Sequence, residues 1–434
     1  MLDGSFGSNT LDQLVSPFGV VGEIRSAKSS WSRGSIEFQL ANAGTALPGH
    51  GVSVRNILDQ EHIARGCGIS LDGADHARLV AVAEAAERYA GRELSSEESV
   101  LAYASELPGA TIDASRIPRC SERERRRGCP LGHFDPESRI RWIRGVDWMT
   151  GQDVWVPAVM ACYAIKKPSD AERFWNPIST GYAVHSDPDE ALLRSLWEVI
   201  ERDAIAVVWQ QMLSLPWVPP QYFPDSVRYL CESSRRQFID TFIFDATTDI
   251  GVPTAYCVQV APHDECARHV LGCATRGSFA DAAEHAVLET LQIRDTVLSD
   301  CPESVREFES IGDGARFMAR PERATAFGFL LNGAEDRAGR PPDEIPQATD
   351  EALAWIKCRF AARQVQVIIV DRTPDELADV GLTALCAIIP SLQPMSLVPL
   401  AQYRAHPRLY EAPRLMGYRS LPEEELNPWP QPLS

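Results

Sequence analysis

The stretch ISTGYAVHSDPDEALLRSLWEVIERDAIAVVW, residues 178–209, decides the fold. Ser186-Asp187-Pro188 is a helix start: a capping side chain, then a proline whose fixed φ suits the first helical position. Leu192–Ile200 is largely apolar, yet Glu198 and Glu201 stand three apart within or beside it, and Arg202 follows at once. Side chains at i and i+3 share one face of a helix. The same arrangement occurs twice more. Glu84 and Glu87, followed by Arg88, sit in and beside the apolar Ala81–Ala86, and Glu289 with Gln292 ends the apolar Ala282–Leu291. Ser278 with Asp281 resembles a capping box for that third helix.

Carboxylates within apolar helices are costly to desolvate unless paired. A cation is therefore expected between them, either arginine or Mg²⁺. Magnesium takes carboxylate oxygens and keeps water and phosphate as further ligands, so two facing E-x-x-E helices would hold Mg²⁺ and with it a nucleoside triphosphate. The alternative is a solvated face laced with i, i+4 salt bridges.

Outward from these helices, periodicity alternates between helix and strand. Arg141–Arg144 and Val154–Val159 read as strands about a turn at Met149–Gln152. Residues 237–260 hold two more. Gln364–Asp371 follows a helical Glu351–Ala362, and Leu382–Ile389 is a further apolar run ended by Pro390. No period of about 20–50 residues is visible, which speaks against a solenoid. The fold class expected is α+β with a mixed sheet.

Length and composition bound the rest. The chain's 434 residues allow roughly two to four domains or one large one. Hydrophobic residues at 44% and charged residues at 24% exclude disorder, collagen and coiled coil for most of it. Lys and Arg number 42 against 60 Asp and Glu, a net charge of −18. Such a surface repels phosphate backbones, so neither nucleic acid nor an anionic membrane is an expected partner, although bridging Mg²⁺ still admits a nucleotide. MLDGSFGSNTLDQLVSPFGVV lacks the basic region and apolar core of a signal peptide, and no apolar run approaches the roughly 18 residues that span a bilayer. The 11 cysteines are an odd count without a C-x-x-C pair, as expected of reduced thiols in a cytoplasmic protein. His263, Cys266 and His269 read as a hairpin turn, and Cys120, Cys129 and His133 likewise fall short of four zinc ligands at usual spacing.

Two segments stand apart. RIPRCSERERRRG, residues 116–128, is the one basic cluster: a solvated loop or helix face, or a contact for an acidic peptide or partner. In LPEEELNPWPQPLS, Pro428, Pro430 and Pro432 alternate, so this end is extended and not helical.

The three-helix constellation resembles the YcaO family. Residues 178–209 are similar to its signature, ARLVAVAEAAERYAG (77–91) to its first acidic helix and VLGCATRGSFADAAEHAVLETLQIR (270–294) to its third. LVSPFGVVGEI and VIIVDRTPDELADVGLTALCAIIPSLQP also fit, so the resemblance spans nearly the whole chain. The alternating prolines resemble the PxPxP tail of the azoline-forming peptide cyclodehydratases. Motifs from residue 66 to residue 432 would then build one site in a single domain, 1–434, with a globular body over 1–420 and an extended tail over 421–434. The implied fold has mixed sheets with flanking helices around a central site.

That resemblance implies a mechanism. Glu84, Glu87, Glu198 and Glu201 would hold Mg²⁺ and with it ATP. Arg202 would lie near phosphate, Ser179 and Thr180 would touch the nucleotide, and His285, Glu289 and Gln292 would complete the pocket. A Cys, Ser or Thr of a ribosomally made precursor peptide attacks the preceding carbonyl; ATP phosphorylates the resulting oxyanion, and phosphate leaves to give the azoline. The protein supplies positioning and charge neutralisation. Pro428, Pro430 and Pro432 would form a rigid pointer into the site. A separate leader-binding partner, similar to ubiquitin-activating enzymes, is implied, as is a flavin-dependent dehydrogenase; a homodimer is the commonest assembly. Three positions depart from the pattern. Cys67 stands where a Lys is common, Val80 where a Ser is, and His285 where a cation is. Each phosphate contact so lost is worth roughly 1.5–3 kcal/mol. Thr180 replaces an Asn of other branches. The alternatives are a thioamide- or amidine-forming relative and a non-catalytic homologue acting as a scaffold.

Overall fold

A computed structural model describes residues 11–16, 19–28, 39–44, 53–55, 61–63, 65–92, 99–165, 168–299, 301, 308 and 312–433. Of the segments singled out above, residues 1–10, 17, 18 and 434 lie outside these.

Three strand-then-helix units place the acidic helices. In the first, strands β1 (Glu23–Lys28), β2 (Gln39–Gly44) and β3 (Arg65–Ser70) form an antiparallel sheet, and the turn 71–73 leads into helix α1 (Ala74–Ala90). Helix α1 buries its alanine-rich stripe, Ala77, Ala81, Ala85 and Ala86, on that sheet. Small side chains here let strand and helix backbones come close.

Strands β4 (Val100–Ala102), β5 (Ala110–Thr111), β6 (Ile140–Asp147), β7 (Asp153–Pro157) and β8 (Tyr182–His185) belong to the central sheet. From β8 the chain enters α2 (Pro188–Gln211). Asp187 caps it by accepting from the Asp189 N–H at 2.9 Å, and Pro188 stands at its start. The C-terminal half of α2 is buried all round, from Asp203 to Gln211, so it runs through the protein interior.

The third unit repeats the layout of the first. Strands β9 (Asp240–Asp245), β10 (Thr254–Val260) and β11 (His269–Thr275) form an antiparallel sheet, and the turn 276–278 leads into α3 (Phe279–Ser299). Ser278 accepts from the Asp281 N–H at 3.2 Å at its start. The central sheet is completed by β12 (Ile368–Asp371), which follows α4 (Thr349–Ala361), and by β13 (Thr383–Ile388). Its order is β8-β13-β12-β6-β7-β5, with β4 also on β6; only β5 and β7 are parallel. The expected mixed α+β architecture is therefore present, with strands at every stretch named from periodicity. After β7 the chain turns into one helical turn, Ala158–Ala161, where extended chain was expected to Val159.

One expectation needs correction. Not all thiols are free: Cys266 and Cys301 form a disulfide, because the end of α3 comes back beside the β10–β11 turn and brings the two Cα atoms to 5.9 Å. A 35-residue separation leaves no local sequence mark of that pairing. The proline-rich end lies against the body. After a short turn at Glu423–Glu425 it runs extended, but Asn427 and Leu433 are buried. The Asn427 N–H donates to the Gln210 carbonyl (2.9 Å), and the Trp209 indole N–H to the Trp429 carbonyl (3.1 Å). The tail thus seals the C-terminal end of α2. The basic cluster forms a short helix, Glu122–Arg126. Among the described residues no helix is long and apolar enough to cross a membrane.

Candidate active site

Helices α1, α2 and α3 converge on a cavity of about 390 Å³. Its walls include Glu84, Glu87, Glu198, Glu201, Glu289 and Gln292, and also Arg202 and His285. The six acidic or amide positions read from three separate helices are brought to one place.

Each helix presents its first glutamate to the backbone of its own unit. The Cys67 N–H donates to Glu84 (2.7 Å), Gly181 to Glu198 (3.0 Å) and Cys273 to Glu289 (2.7 Å), at sequence separations of 17, 17 and 16. Glu201 accepts from the Thr275 N–H at 2.9 Å, which ties α2 to β11. Gly181 takes φ +86, and a Cβ there would lie 2.3 Å from the Ala387 carbonyl, so only glycine serves this turn.

Arginines balance part of the charge. Arg88 reaches Glu84 at 2.8 Å and Glu87 at 3.3 Å; Arg202 reaches Glu198 at 3.5 Å and Glu201 at 3.4 Å. Among the described residues α3 has no such pair; its Arg294 is fully buried and bonded to Gln259 at 2.8 Å. The balance is incomplete. Burial raises the pKa of Glu87 well above the carboxylate range, with Glu198 and Glu84 adding to the effect against Arg88. Burial also raises Glu198, and it raises Glu289 to about 7 with help from Glu201. Carboxyls held this way gain from a further cation.

His285 is not that cation. Arg276 lies against it and, with burial, pushes its pKa well below the usual value, so the ring is neutral. The Asp281 carbonyl, 2.9 Å from Nδ1, can only accept, which places the ring proton on Nδ1. Positive charge on this wall comes instead from Arg276 and Arg194, both lining the cavity. Neither was picked out from the sequence, since neither belongs to an E-x-x-E helix motif. Cys67 and Val80 also line it; burial and Glu84 push the Cys67 thiol up to about 12, so it is a neutral wall.

Other predicted residues lie elsewhere. Thr180 borders a second cavity of about 50 Å³, reached past Arg202, which lines both; its hydroxyl is buried without a hydrogen-bond partner. Ser179 lines neither cavity, and its carbonyl accepts from the Tyr182 N–H at 3.3 Å. Pro428, Pro430 and Pro432 line neither; the tail is anchored at the C-terminal end of α2, beyond the mid-helix Glu198 and Glu201.

The donor set, carboxylates and an amide, suits a hard cation. Among the described residues no three His, Cys, Asp or Glu side chains form a ready metal cage.

The family model described as YcaO cyclodehydratase, ATP- and Mg²⁺-binding, matches residues 72–393. The chain belongs to the YcaO family. This match runs from the start of α1 to the loop beyond β13, so it contains all three acidic helices of the YcaO chain. Among curated proteins it is 27% identical over 301 residues to an uncharacterised protein in the tfuA 3′ region of Rhizobium leguminosarum bv. trifolii, covering 65% of this chain and 66% of that one. An uncharacterised Methanothermobacter thermautotrophicus protein is 25% identical over 183 residues, 42% of this chain and 44% of that one. The YcaO chain thus matches less than two thirds of either relative.

Among solved structures, a heterocyclase in complex with substrate and cofactor has a TM-score of 0.78 at 21% identity, covering 98% of this chain and 57% of that one. The heterocyclase TruD gives 0.62 at 21%, covering 82% and 50%. YcaO from Methanopyrus kandleri, bound with AMPPCP and Mg²⁺, gives 0.61 at 17%, covering 86% of each. At such identities the likeness is one of fold.

Proposed function

We propose that this chain is an ATP- and Mg²⁺-dependent peptide cyclodehydratase, which activates backbone amides of a precursor peptide so that Cys, Ser or Thr side chains close azoline rings. The observation that carries this reading is the convergence of Glu84, Glu87, Glu198, Glu201, Glu289 and Gln292 on one cavity, with three glutamates clamped by backbone N–H groups. Clamped carboxylates are pre-organised, so little reorganisation opposes ion binding. Glu84, Glu87, Glu198 and Glu201 would hold Mg²⁺, and Arg202 on α2 and Arg276 in the turn before α3 would face phosphate. When bound, ATP supplies the phosphoryl group that makes the amide oxygen a leaving group. The chain's own part is to orient peptide and nucleotide and to keep the cavity's charge balanced. Arg276 offers the charge that His285 lacks, which favours turnover over a scaffold role.

A heterocyclase solved with substrate and cofactor, and fold neighbours in the E. coli microcin synthetase McbBCD complex, one with pro-MccB17 bound, support action on a substrate within a complex. The separate leader-binding partner and the flavin-dependent dehydrogenase acting later are what the family resemblance implies. The test is to combine purified chain, partner, Mg²⁺, ATP and precursor peptide and to weigh the product. Loss of one water per ring, abolished by Glu198→Ala, is expected. Unchanged mass with peptide binding intact overturns the reading, and a gain of sulfur in place of oxygen redirects it to thioamide formation.

A further inference from the structure

The basic cluster, which the ATP site does not use, keeps part of its charge unpaired: Arg116 pairs with Asp113 at 3.4 Å, but others, among the described residues, do not pair. Residues 116–128 hold six arginines and two glutamates in a chain of net charge −18. Neither glutamate neutralises the exposed face. Glu124 is buried and spent on backbone: it accepts from the N–H groups of Ser121 (2.7 Å), Gln402 (2.5 Å) and Arg404 (2.9 Å). Glu122 pairs with Arg125 at 3.1 Å. Among the described residues Arg119, Arg123, Arg126 and Arg127 form no ion pair, and Arg119, Arg126 and Arg127 are exposed. On the flank, the hydroxyl of Ser121 donates to Glu423 of the chain's own acidic turn at 2.5 Å, so a carboxylate already sits at the edge of this surface.

The patch adjoins the second cavity. Pro118 lines that cavity, and Arg119 is the next residue. The Arg119 carbonyl accepts from the Ala405 N–H at 3.2 Å, beside His406. The His406 ring reaches Pro390 (3.0 Å) and Gln393 (3.1 Å), both in the cavity wall. Arg202 then separates this cavity from the carboxylate site. The patch therefore lies on the outer side of the second cavity's wall.

We propose that Arg119, Arg123, Arg126 and Arg127 form a docking surface for an acidic segment of the peptide substrate. This rests on the reading of the chain as a peptide-modifying enzyme. Guanidinium groups recognise carboxylates through paired N–H donors, and several together on an otherwise acidic protein select for negative charge. One exposed pair contributes little, so affinity comes from the set and falls with salt.

The full chain is titrated, without ATP, against a fluorescent peptide of alternating Glu and Gly, read by anisotropy, with a Gln-and-Gly peptide as neutral control. Binding is expected only for the acidic peptide, weakening about tenfold or more in R119S/R126S/R127S and in high salt. The pair R228S/R236S, whose arginines already face Asp225 and Glu232, should bind as the parent does. Melting temperature checks the fold of each variant, and R126S alone, expected to lose part of the affinity, serves if the triple variant melts early. Equal binding of the neutral peptide, equal loss in R228S/R236S, or equally tight binding of single-stranded DNA overturns the proposal. Since ring formation is not assayed, it can fail while docking holds, and the reverse.

Discussion

The backbone N–H of Cys67 points at the Glu84 carboxylate across 2.7 Å, and the strand can come that close only because glycine stands on either side of Cys67. A Cβ on Gly68 would lie 1.9 Å from the Ala77 carbonyl oxygen and 2.8 Å from the Ala81 nitrogen, both helix backbone. Gly68→Ala must therefore push α1 off its sheet and carry Glu84 with it. Overpacking of this kind costs about 1–3 kcal/mol. A lower melting temperature and weaker nucleotide binding should appear together, whereas Gly132→Ala, whose nearest neighbour is 3.9 Å away, should change neither.

Glu198→Gln separates charge from shape. The amide oxygen can still accept from Gly181, but the carboxylate charge is gone. Removing one charge-assisted contact of about 2 kcal/mol weakens Mg²⁺–ATP binding roughly thirtyfold. Calorimetry with the parent chain as reference measures this, and parent-like affinity would take Glu198 out of the site.

Protonation of Glu289 should govern how nucleotide affinity depends on pH. Its pKa is raised to about 7, so the carboxyl is largely neutral below that value and ionised above it. An ionised Glu289 adds negative charge to the cavity that attracts the cation, so affinity should rise between about pH 6 and 8. The same shift makes folding pH-dependent: the folded state holds the proton more tightly, so this contribution to stability is present below pH 4.5 and is lost as pH rises to about 7. Glu289→Gln should flatten the affinity profile. A parent-like slope in that variant would assign the titration to another group.

How much of this was readable in sequence depends on the range of each interaction. The helices were legible because i, i+3 spacing and capping are local: Asp187 and Ser278 cap as expected, and the acidic pairs share one cavity. β6, β7, β9, β10, β12 and β13 were legible from apolar, β-branched runs, whereas β1 to β3, which carry the first acidic helix, hold few such residues and were not. Arg276 was not, since its role depends on where a turn after β11 meets α3. The neutral state of His285 follows from that same contact. The Cys266–Cys301 bond and the docked tail join segments far apart in sequence, and composition carries no signal of either. Three prolines predict an extended chain correctly, but not the surface it lies on.

The Cys266–Cys301 bond ties the end of α3, the helix bearing Glu289, to the β10–β11 turn. Closing a loop of 35 residues restricts the unfolded chain by about 4 kcal/mol in the chain-entropy account. Cys301→Ser, or reductant added to the parent, should lower the denaturant midpoint, and the two treatments together should do no more than either alone. Additive losses would mean that reductant acts at some other pair.

The tail makes the sharpest division between stability and turnover. Leu433 is fully buried beside Met318, Phe327 and Ala412, and Trp429 packs on Phe317 with the Arg323 guanidinium 5.0 Å from its ring. Leu433→Ala removes a core side chain and should cost about 2–5 kcal/mol. Nucleotide affinity at a temperature where the variant is folded should be unchanged, because the tail borders neither cavity. Pro430→Ala, which loosens φ without emptying the core, then tests the pointer reading. If the prolines aim the end of the chain at the reacting peptide, this variant loses turnover while its melting temperature holds. If the tail only seals α2, turnover and melting temperature fall together or not at all.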